Sequence, residues 1–384
     1  MKLTIDQAPL SDALGWLATV LPKRPEQPIL AGVRLRADEH GLTAQAYNLE
    51  TSHTAQLGAQ IGEPGQAIVS GFLLRGLVST LSASEPVVLS SDDSELTMIQ
   101  GRSRYRLGLM PAGDFPALPV MPPTVGTIGL EPLAGMVTSA AHPIEIDSAF
   151  EDLRGLRIEA EGSHLTIVGA RRQMIAVRDA AWPFDPINAL APLSTIEGAL
   201  RGFGLGGEAA VITIGLTDGL LGLSGPGAGG TRAVTTRLYA LDKPLVWQRL
   251  IRAREADEAQ AIVPGGELVR ALRRAAVLAG EEAAATLTYD PNGWLGIHVI
   301  GHANYGDGHD LLDAETEGGE ELVLGVNPGW LADAVAALVP DDGPVRLGFA
   351  GPRRPITIRP AAASPDDRAV TVLMPRDLSR GISA

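Results

Sequence analysis

The chain has 384 residues, 45% of them apolar and 4% aromatic, with a formal net charge of −14 and no cysteine. That length exceeds what one hydrophobic core usually supports, ~250–300 residues, and points to several domains filled with aliphatic side chains. Lack of cysteine excludes disulfides, thiolate chemistry and Cys-ligated zinc, and the acidic total argues against a protein coated in nucleic acid.

Residues 11–20 sit inside a helical pattern in which Leu10, Leu14, Leu17 and Leu21 share one face, and Pro22 closes the run. Pro25-Glu26-Gln27-Pro28 is a rigid loop. Val33–Ala37 and Leu42–Ala46 alternate around the turn Asp38-Glu39-His40-Gly41, which predicts a hairpin with one face inside. A strand over 65–69 precedes a helix over Phe72–Leu81. Gly76 weakens that helix by ~1 kcal/mol, so packing must hold it. Short strands at 86–89, 95–99 and 103–107 follow, then a Pro-rich linker from Pro111 to Pro123.

The same order returns twice. A helix opens at Leu130, strands follow at 155–160, 164–169 and 174–179, and a second helix spans 193–203 before strands at 211–214, 220–224 and 231–239. Gly266–Ala279 then carries Leu268, Leu272, Ala275 and Ala279 on one face and Arg270, Arg273 and Arg274 largely on the other. Asn327 and Pro328 start the last helix as cap and first turn, and Pro340 follows its end. Strands at 345–349, 356–358 and 369–374 finish the chain. First helices near 10, 130 and 264 and second helices near 71, 194 and 327 predict three α+β domains of about 128 residues. Each has two helices on antiparallel sheet, with boundaries 1–122, 123–252 and 253–384.

No catalytic constellation emerges, so no catalytic residue, metal or cofactor is expected. Gly206-Gly207-Glu208, Gly225–Gly230 and Gly318-Gly319-Glu320 read as turns, and none ends in Gly-Lys-Ser/Thr. Gly202-Phe203-Gly204-Leu205-Gly206 lies at a helix end, not between strand and helix. The seven histidines are dispersed. His302, Asp307, His309 and Asp310 read as a solvated loop, and Asp92-Asp93 and Asp341-Asp342 as hairpin turns. The arginines carry more information: Arg24 precedes the Pro loop, Arg75 and Arg201 sit on second helices, and Arg270, Arg273 and Arg274 sit on a first helix. Facing one central space, they would meet phosphates without reading bases, whereas each taken singly is an ordinary solvated Arg.

Five words spread along the chain carry a family resemblance. They are Arg24-Pro25-Glu26-Gln27-Pro28-Ile29-Leu30, Gly101-Arg102-Ser103-Arg104-Tyr105, Leu109-Met110-Pro111-Ala112-Gly113-Asp114-Phe115-Pro116, Arg274-Ala275-Ala276-Val277-Leu278 and Val372-Leu373-Met374-Pro375. In these words the sequence resembles the bacterial DNA polymerase III beta subunit, the sliding-clamp family. The resemblance implies a non-enzymatic, cytoplasmic and nucleoid-associated protein with no membrane contact. It implies a head-to-tail homodimeric ring that encircles double-stranded DNA without sequence specificity and tethers the replicative polymerase.

Polymerase and clamp-loader subunits would insert short linear peptides into a cleft formed by Leu153, Arg172, Met174, Ile175, Pro244, Asn327, Trp330, Val345, Val372, Met374 and Pro375. DNA would meet Arg24, Arg75, Arg201, Arg270, Arg273 and Arg274. The chain departs from the family at Glu151-Asp152, Ala170–Ile175, Ala240–Leu245 and Arg376-Asp377. Those departures support an alternative reading, a divergent accessory clamp or clamp-like interaction protein with altered partner binding, such as an inhibitor-resistant paralogue. No run reaches the ~18 apolar residues of a membrane span, and Met1–Asp6 alternates like a strand, not a signal peptide.

Overall fold

One local pattern recurs six times: a strand runs directly into a helix, and three strands follow. Strand Lys2–Asp6 enters α1 (Gln7–Leu17), and Gly32–Asp38, Gly41–Tyr47 and Thr51–Leu57 follow. Strand Gly65–Ser70 likewise enters α2 (Gly71–Val78), Thr124–Gly129 enters α3 (Leu130–Ala141) and Ile187–Pro192 enters α4 (Leu193–Gly202). After a short α5 (Trp247–Ile251), Ala259–Pro264 enters α6 (Gly265–Ala279) and Leu322–Val326 enters α7 (Pro328–Leu338). The computed structural model describes all residues except 151–152, 205–209, 242–246, 253–256, 281–283, 301–305, 340–341, 363–368 and 378–384. Among the described residues no helix is long and apolar enough to cross a membrane.

The chain divides into two compact units, Met1–Ala134 with Trp182–Tyr239, and Gly135–Ala181 with Ala240–Ala384. In the first unit, a five-stranded sheet runs in the order 60–63, 2–6, 86–91, 95–100, 103–108. An eight-stranded sheet runs 124–129, 211–216, 220–227, 230–237, 51–57, 41–47, 32–38, 65–70. Its seam is the antiparallel pairing of Gly230–Arg237 with Thr51–Leu57. Helix α1 packs on α2 and α4. Between them Trp16 donates its indole N–H to the Gly198 carbonyl at 3.0 Å and stacks on His53 at 4.2 Å. The buried Arg232 guanidinium lies 4.9 Å from the Trp16 ring and pairs with Asp12. Glycine is required nearby: a Cβ on Gly202 would overlap Trp16, and one on Gly227 would overlap Arg232.

In the second unit, strands run in the order 155–161, 164–171, 174–181, 370–373, 356–360, 344–349, 259–264, 315–318. A separate four-stranded sheet has the order 307–313, 294–300, 285–290, 322–326. Leu268 and Leu272 of α6 and Leu331 and Val335 of α7 close one core with Leu287, Tyr289, Leu347 and Phe349. Tyr289 is fully buried and donates its hydroxyl to the Gly318 carbonyl at 2.6 Å. The seam here pairs Met174–Val177 with Val370–Leu373. Arg178 crosses it: its Nη1 donates to the carbonyls of Val177 (2.7 Å) and Val370 (3.1 Å), and its Nε to the Ser139 hydroxyl (2.8 Å).

The expected α+β character and the six long helices are present, and the differences at the helix ends have local causes. Helix α1 stops at Leu17, although Leu21 is still buried. Pro22 pushes Leu21 out of the helical region, and the Thr19 hydroxyl takes the Trp16 carbonyl at 2.6 Å. Helix α2 stops at Val78, where the Ser79 and Thr80 hydroxyls take the carbonyls of Gly76 and Leu77. His309 and Asp310 are not in a loop. They lie in strand Asp307–Asp313, at a sheet edge where polar side chains remain solvated. His302 and Asp341 lie outside the described residues. Asp92 does hold a turn, accepting from the backbone N–H groups of Ser94 and Glu95, and these bonds hold its carboxyl below the usual range.

Two histidines link this packing to pH. Burial pushes His53 down to about 4, with Arg232 adding to the effect, and burial likewise pushes His142 to about 4, with Arg178 adding. An unfolded histidine titrates near ~6.5, so between that pH and about 4 the unfolded chain binds more protons. The stability contributed by each neutral imidazole is therefore complete above ~6.5 and is lost as pH falls toward 4, by up to ~3 kcal/mol each. Urea midpoints measured from pH 7.5 to 4.5 should fall steeply, and His53→Gln should flatten that slope relative to wild type.

Candidate functional site

Strands His164–Arg171 and Met174–Ala181 form a hairpin whose two-residue turn is Arg172-Gln173. Across the seam Met174 faces Leu373, and Ile175 faces Val372. Because side chains alternate along a strand, these pairs point to opposite faces. Met174 and Leu373 enter the main core, where Val345 is also fully buried. Ile175 and Val372 instead join Val168, Ala170, Val177, Val370 and Trp247 in a second apolar cluster, with Leu153 packed against it.

Among the described residues that second cluster is buried. Trp247 is only 4% exposed, and its indole N–H donates to Glu159 at 2.8 Å while Glu159 also pairs with Arg157. The surface beside the cluster has a different chemistry. Met374 donates its backbone N–H to the Gln173 carbonyl at 2.8 Å and is 39% exposed. Two residues on, the Arg376 N–H donates to the Gly325 carbonyl at 2.8 Å. Asn327 is buried and caps α7, its side-chain oxygen accepting from the Trp330 N–H at 3.0 Å. Two guanidinium groups lie over the Trp330 ring, Arg171 at 4.0 Å and Arg376 at 4.7 Å from its centre. Such contacts stabilise by ~0.5–2 kcal/mol each. Glu145 accepts from Arg171 at 2.7 Å, and the exposed Arg172 lies 5.6 Å from the Phe150 ring.

Of the expected peptide-contacting residues, Arg172, Met374, Pro375, Trp330 and Leu153 reach the surface in varying degree, whereas Met174, Ile175, Val345, Val372 and Asn327 are buried. Pro244 lies outside the described residues. Sequence reading missed Trp247 as the closing group, and Arg171 and Arg376 as partners of Trp330. No sequence signal could have joined them, since the three segments of the stack are more than forty residues apart.

The expected DNA-facing arginines are all exposed. Arg24 is in the loop after α1, and Arg75 and Arg201 occupy the last turns of α2 and α4, where a cation offsets the helix C-terminal charge. The three on α6 have carboxylate neighbours: Arg273 with Asp333 at 2.5 Å, Arg274 with Asp310 at 2.6 Å, and Arg270 with Asp342 at 3.9 Å. Among the described residues no group of three His, Cys, Asp or Glu is placed to hold a metal ion.

Six strand-to-helix units in tandem, with exposed arginines on three of their helices, define a repeated α+β scaffold. Residues 1–119 match the model of the DNA polymerase III beta subunit N-terminal domain, and residues 254–377 match that of its C-terminal domain. The chain is 31% identical to the beta sliding clamp of Streptomyces coelicolor over 99% of its own length and all of that protein's. It is 26% identical to the beta sliding clamp homolog GriR of Streptomyces muensis, over 88% of both proteins. Its fold matches the DNA polymerase sliding clamp of Bacillus subtilis with a TM-score of 0.87 at 20% identity, covering 98% of this chain and 99% of that one. The chain belongs to the DNA polymerase III beta subunit, or beta sliding clamp, family. Its function is that of a clamp: it tethers DNA polymerase on DNA for processive synthesis and is not an enzyme.

Trp247→Ala should destabilise the full chain by ~3–5 kcal/mol, as expected for removing a buried aromatic ring. Trp247→Phe keeps most of the volume but loses the bond to Glu159, and should cost ~1–2 kcal/mol. Urea denaturation ranks the two. A Trp247→Ala chain within ~1 kcal/mol of wild type would show that the cluster does not depend on this indole.

Proposed function

We propose that two copies, each made of three clamp domains (1–122, 123–252 and 253–384), join head to tail into a closed ring around double-stranded DNA. What supports this reading most directly is a pair of sheet edges. Strand Ser103–Gly108 is outermost in its sheet and reads Ser-Arg-Tyr-Arg-Leu-Gly, with Tyr105 40% exposed. Strand Asp307–Asp313 is outermost in another sheet and reads Asp-Gly-His-Asp-Leu-Leu-Asp, with Leu311 58% exposed. Helix α6 packs on that strand and carries Val277, 84% exposed.

An uncovered strand edge is a template for pairing with another chain. One edge carries Arg104 and Arg106, and the other carries Asp307, Asp310 and Asp313. Each edge would repel its own kind and attract the other, so pairing between copies is head to tail, a contact that must close on itself to avoid a filament.

In this ring Arg24, Arg75, Arg201, Arg270 and Arg273 meet phosphates, which carry no sequence information. The carboxylates beside Arg270 and Arg273 offset their charge, and this favours weak contacts that allow sliding. Arg274 is tied to Asp310 on the acidic edge, so it serves the joint between copies more directly. Retention then comes from topology. Polymerase and clamp-loader subunits dock by short linear peptides on the surface around Met374 and Trp330. The burial of Ile175 and Val372 with Trp247 favours a second reading, an accessory clamp whose partners differ from those of the main replicative clamp.

Light scattering on the purified chain should give a dimer, and Arg104→Glu with Arg106→Glu should give monomers. The dimer loaded by a bacterial clamp loader should stay on nicked circular DNA and leave once the DNA is linearised. Equal retention on both forms would show that affinity, and not encirclement, holds it. Rapid loss from both would defeat the ring.

A further inference from the structure

Two histidines that lie apart in the sequence meet on one sheet face. His298 in strand Trp294–Ile300 and His309 in strand Asp307–Asp313 are direct partners in the antiparallel register. We propose that this pair is a binding site for a divalent transition-metal ion such as Zn²⁺, held by one nitrogen of each imidazole, with water completing the coordination. The inference uses a single sheet and does not depend on the ring.

The direction of the side chains is the first support. Ile297, Val299 and Leu312 enter the core, and Asp310 pairs with Arg274 of α6. Gly308 also faces α6, where a Cβ would meet Leu278. Alternation along each strand therefore turns His298 and His309 to the other face, where His309 is exposed and His298 half-buried. Side chains directly opposite on an antiparallel pair have Cβ atoms ~4.5–5.5 Å apart. Over that span two imidazoles can converge on one ion, each nitrogen ~2.0–2.1 Å from it.

Availability is the second. Among the described residues neither imidazole has a hydrogen-bond or ion-pair partner, so no bond within the fold must break when a metal arrives. His164 and His40, by contrast, each lie beside a carboxylate, of Asp179 and Glu39. The surroundings are the third. Gly296 leaves room for the Trp294 ring and for Leu311 on one side of the pair, and Ile300 flanks the other. Such apolar neighbours limit water around an ion. Asp307, two residues from His309 on the same face, adds a negative charge that favours a cation.

The donor set selects the metal. Imidazole nitrogens suit Zn²⁺, Ni²⁺ and Cu²⁺, whereas Mg²⁺ and Ca²⁺ prefer oxygen cages. Two protein donors make an open site rather than a structural one, in keeping with the lack of a three-residue metal group among the described residues. Pairing of another chain along the backbone edge of strand Asp307–Asp313 would extend the sheet in its own plane and leave the face that carries both imidazoles uncovered.

Equilibrium dialysis of the full-length chain against about 100 µM Zn²⁺ at neutral pH, with Mg²⁺ in excess, should load one Zn²⁺ per chain. His298→Asn and His309→Asn should each weaken binding about tenfold or more. The double variant should bind no more weakly than either single one, because a chelate is lost with its first ligand. His40→Asn, in an exposed turn of another sheet, should leave the binding unchanged. Both substituted positions lie on a solvent face, and circular dichroism equal to wild type shows that lost binding is not lost fold. A wild-type chain that loads no Zn²⁺ overturns the site. Binding that survives either substitution, or that each substitution only halves as two independent sites would, overturns the sharing of one ion by the pair.

Discussion

Antiparallel pairing across the repeat boundaries is the constraint on which each unit depends. In the first unit Gly230–Arg237 pairs with Thr51–Leu57, and in the second Met174–Val177 pairs with Val370–Leu373. Each seam joins strands nearly two hundred residues apart and merges two repeats into one sheet. A slip of one residue would turn every side chain to the other face. In the second unit it would push Met174 and Leu373 out of the core and scatter the groups around Trp330.

Buried arginines reinforce both seams. Arg178 is anchored to the carbonyls of Val177 and Val370 and to Ser139, and Arg232 is held by Asp12 and the Trp16 face. A buried cation costs several kcal/mol to desolvate, so these groups add little net stability. The bonds of Arg178 tie it to both strands of its seam and to Ser139, whereas the buried Nε of Arg232 has no hydrogen-bond partner among the described residues. Both arginines specify alignment where aliphatic packing, largely Leu, Val, Ile and Ala, would tolerate neighbouring alternatives. The same placement keeps His53 and His142 neutral, since each lies buried beside one of these arginines.

Charge is distributed by task. The acidic total repels phosphate in general, while cations are concentrated at helix ends, on α6, along the edge Ser103–Gly108 and at the tip of the 164–181 hairpin. Many of these arginines already meet a carboxylate or an aromatic face, which weakens each one as an anchor without removing it as a guide. A protein that must hold DNA and still move along it benefits from that compromise.

The sequence by itself determined the six long helices and the family. Apolar spacing placed α1, α4 and α6, Asn327 and Pro328 marked the start of α7, and words such as Asp114-Phe115-Pro116 carried the kinship. These signals are local, so they survive without knowledge of the fold. Strand Thr51–Leu57 escaped because its buried face includes Thr51 and His53, whose burial depends on the Thr236 hydroxyl and on Trp16, 185 and 37 positions away. The proposed partner surface was only half legible. Its residues could be named by kinship, but burial of Ile175 and Val372 under Trp247, and the stacking of Arg171 and Arg376 on Trp330, arise from contacts between segments far apart in the chain. Only tertiary structure decides such contacts, because register and packing, not residue type, determine which side chains meet.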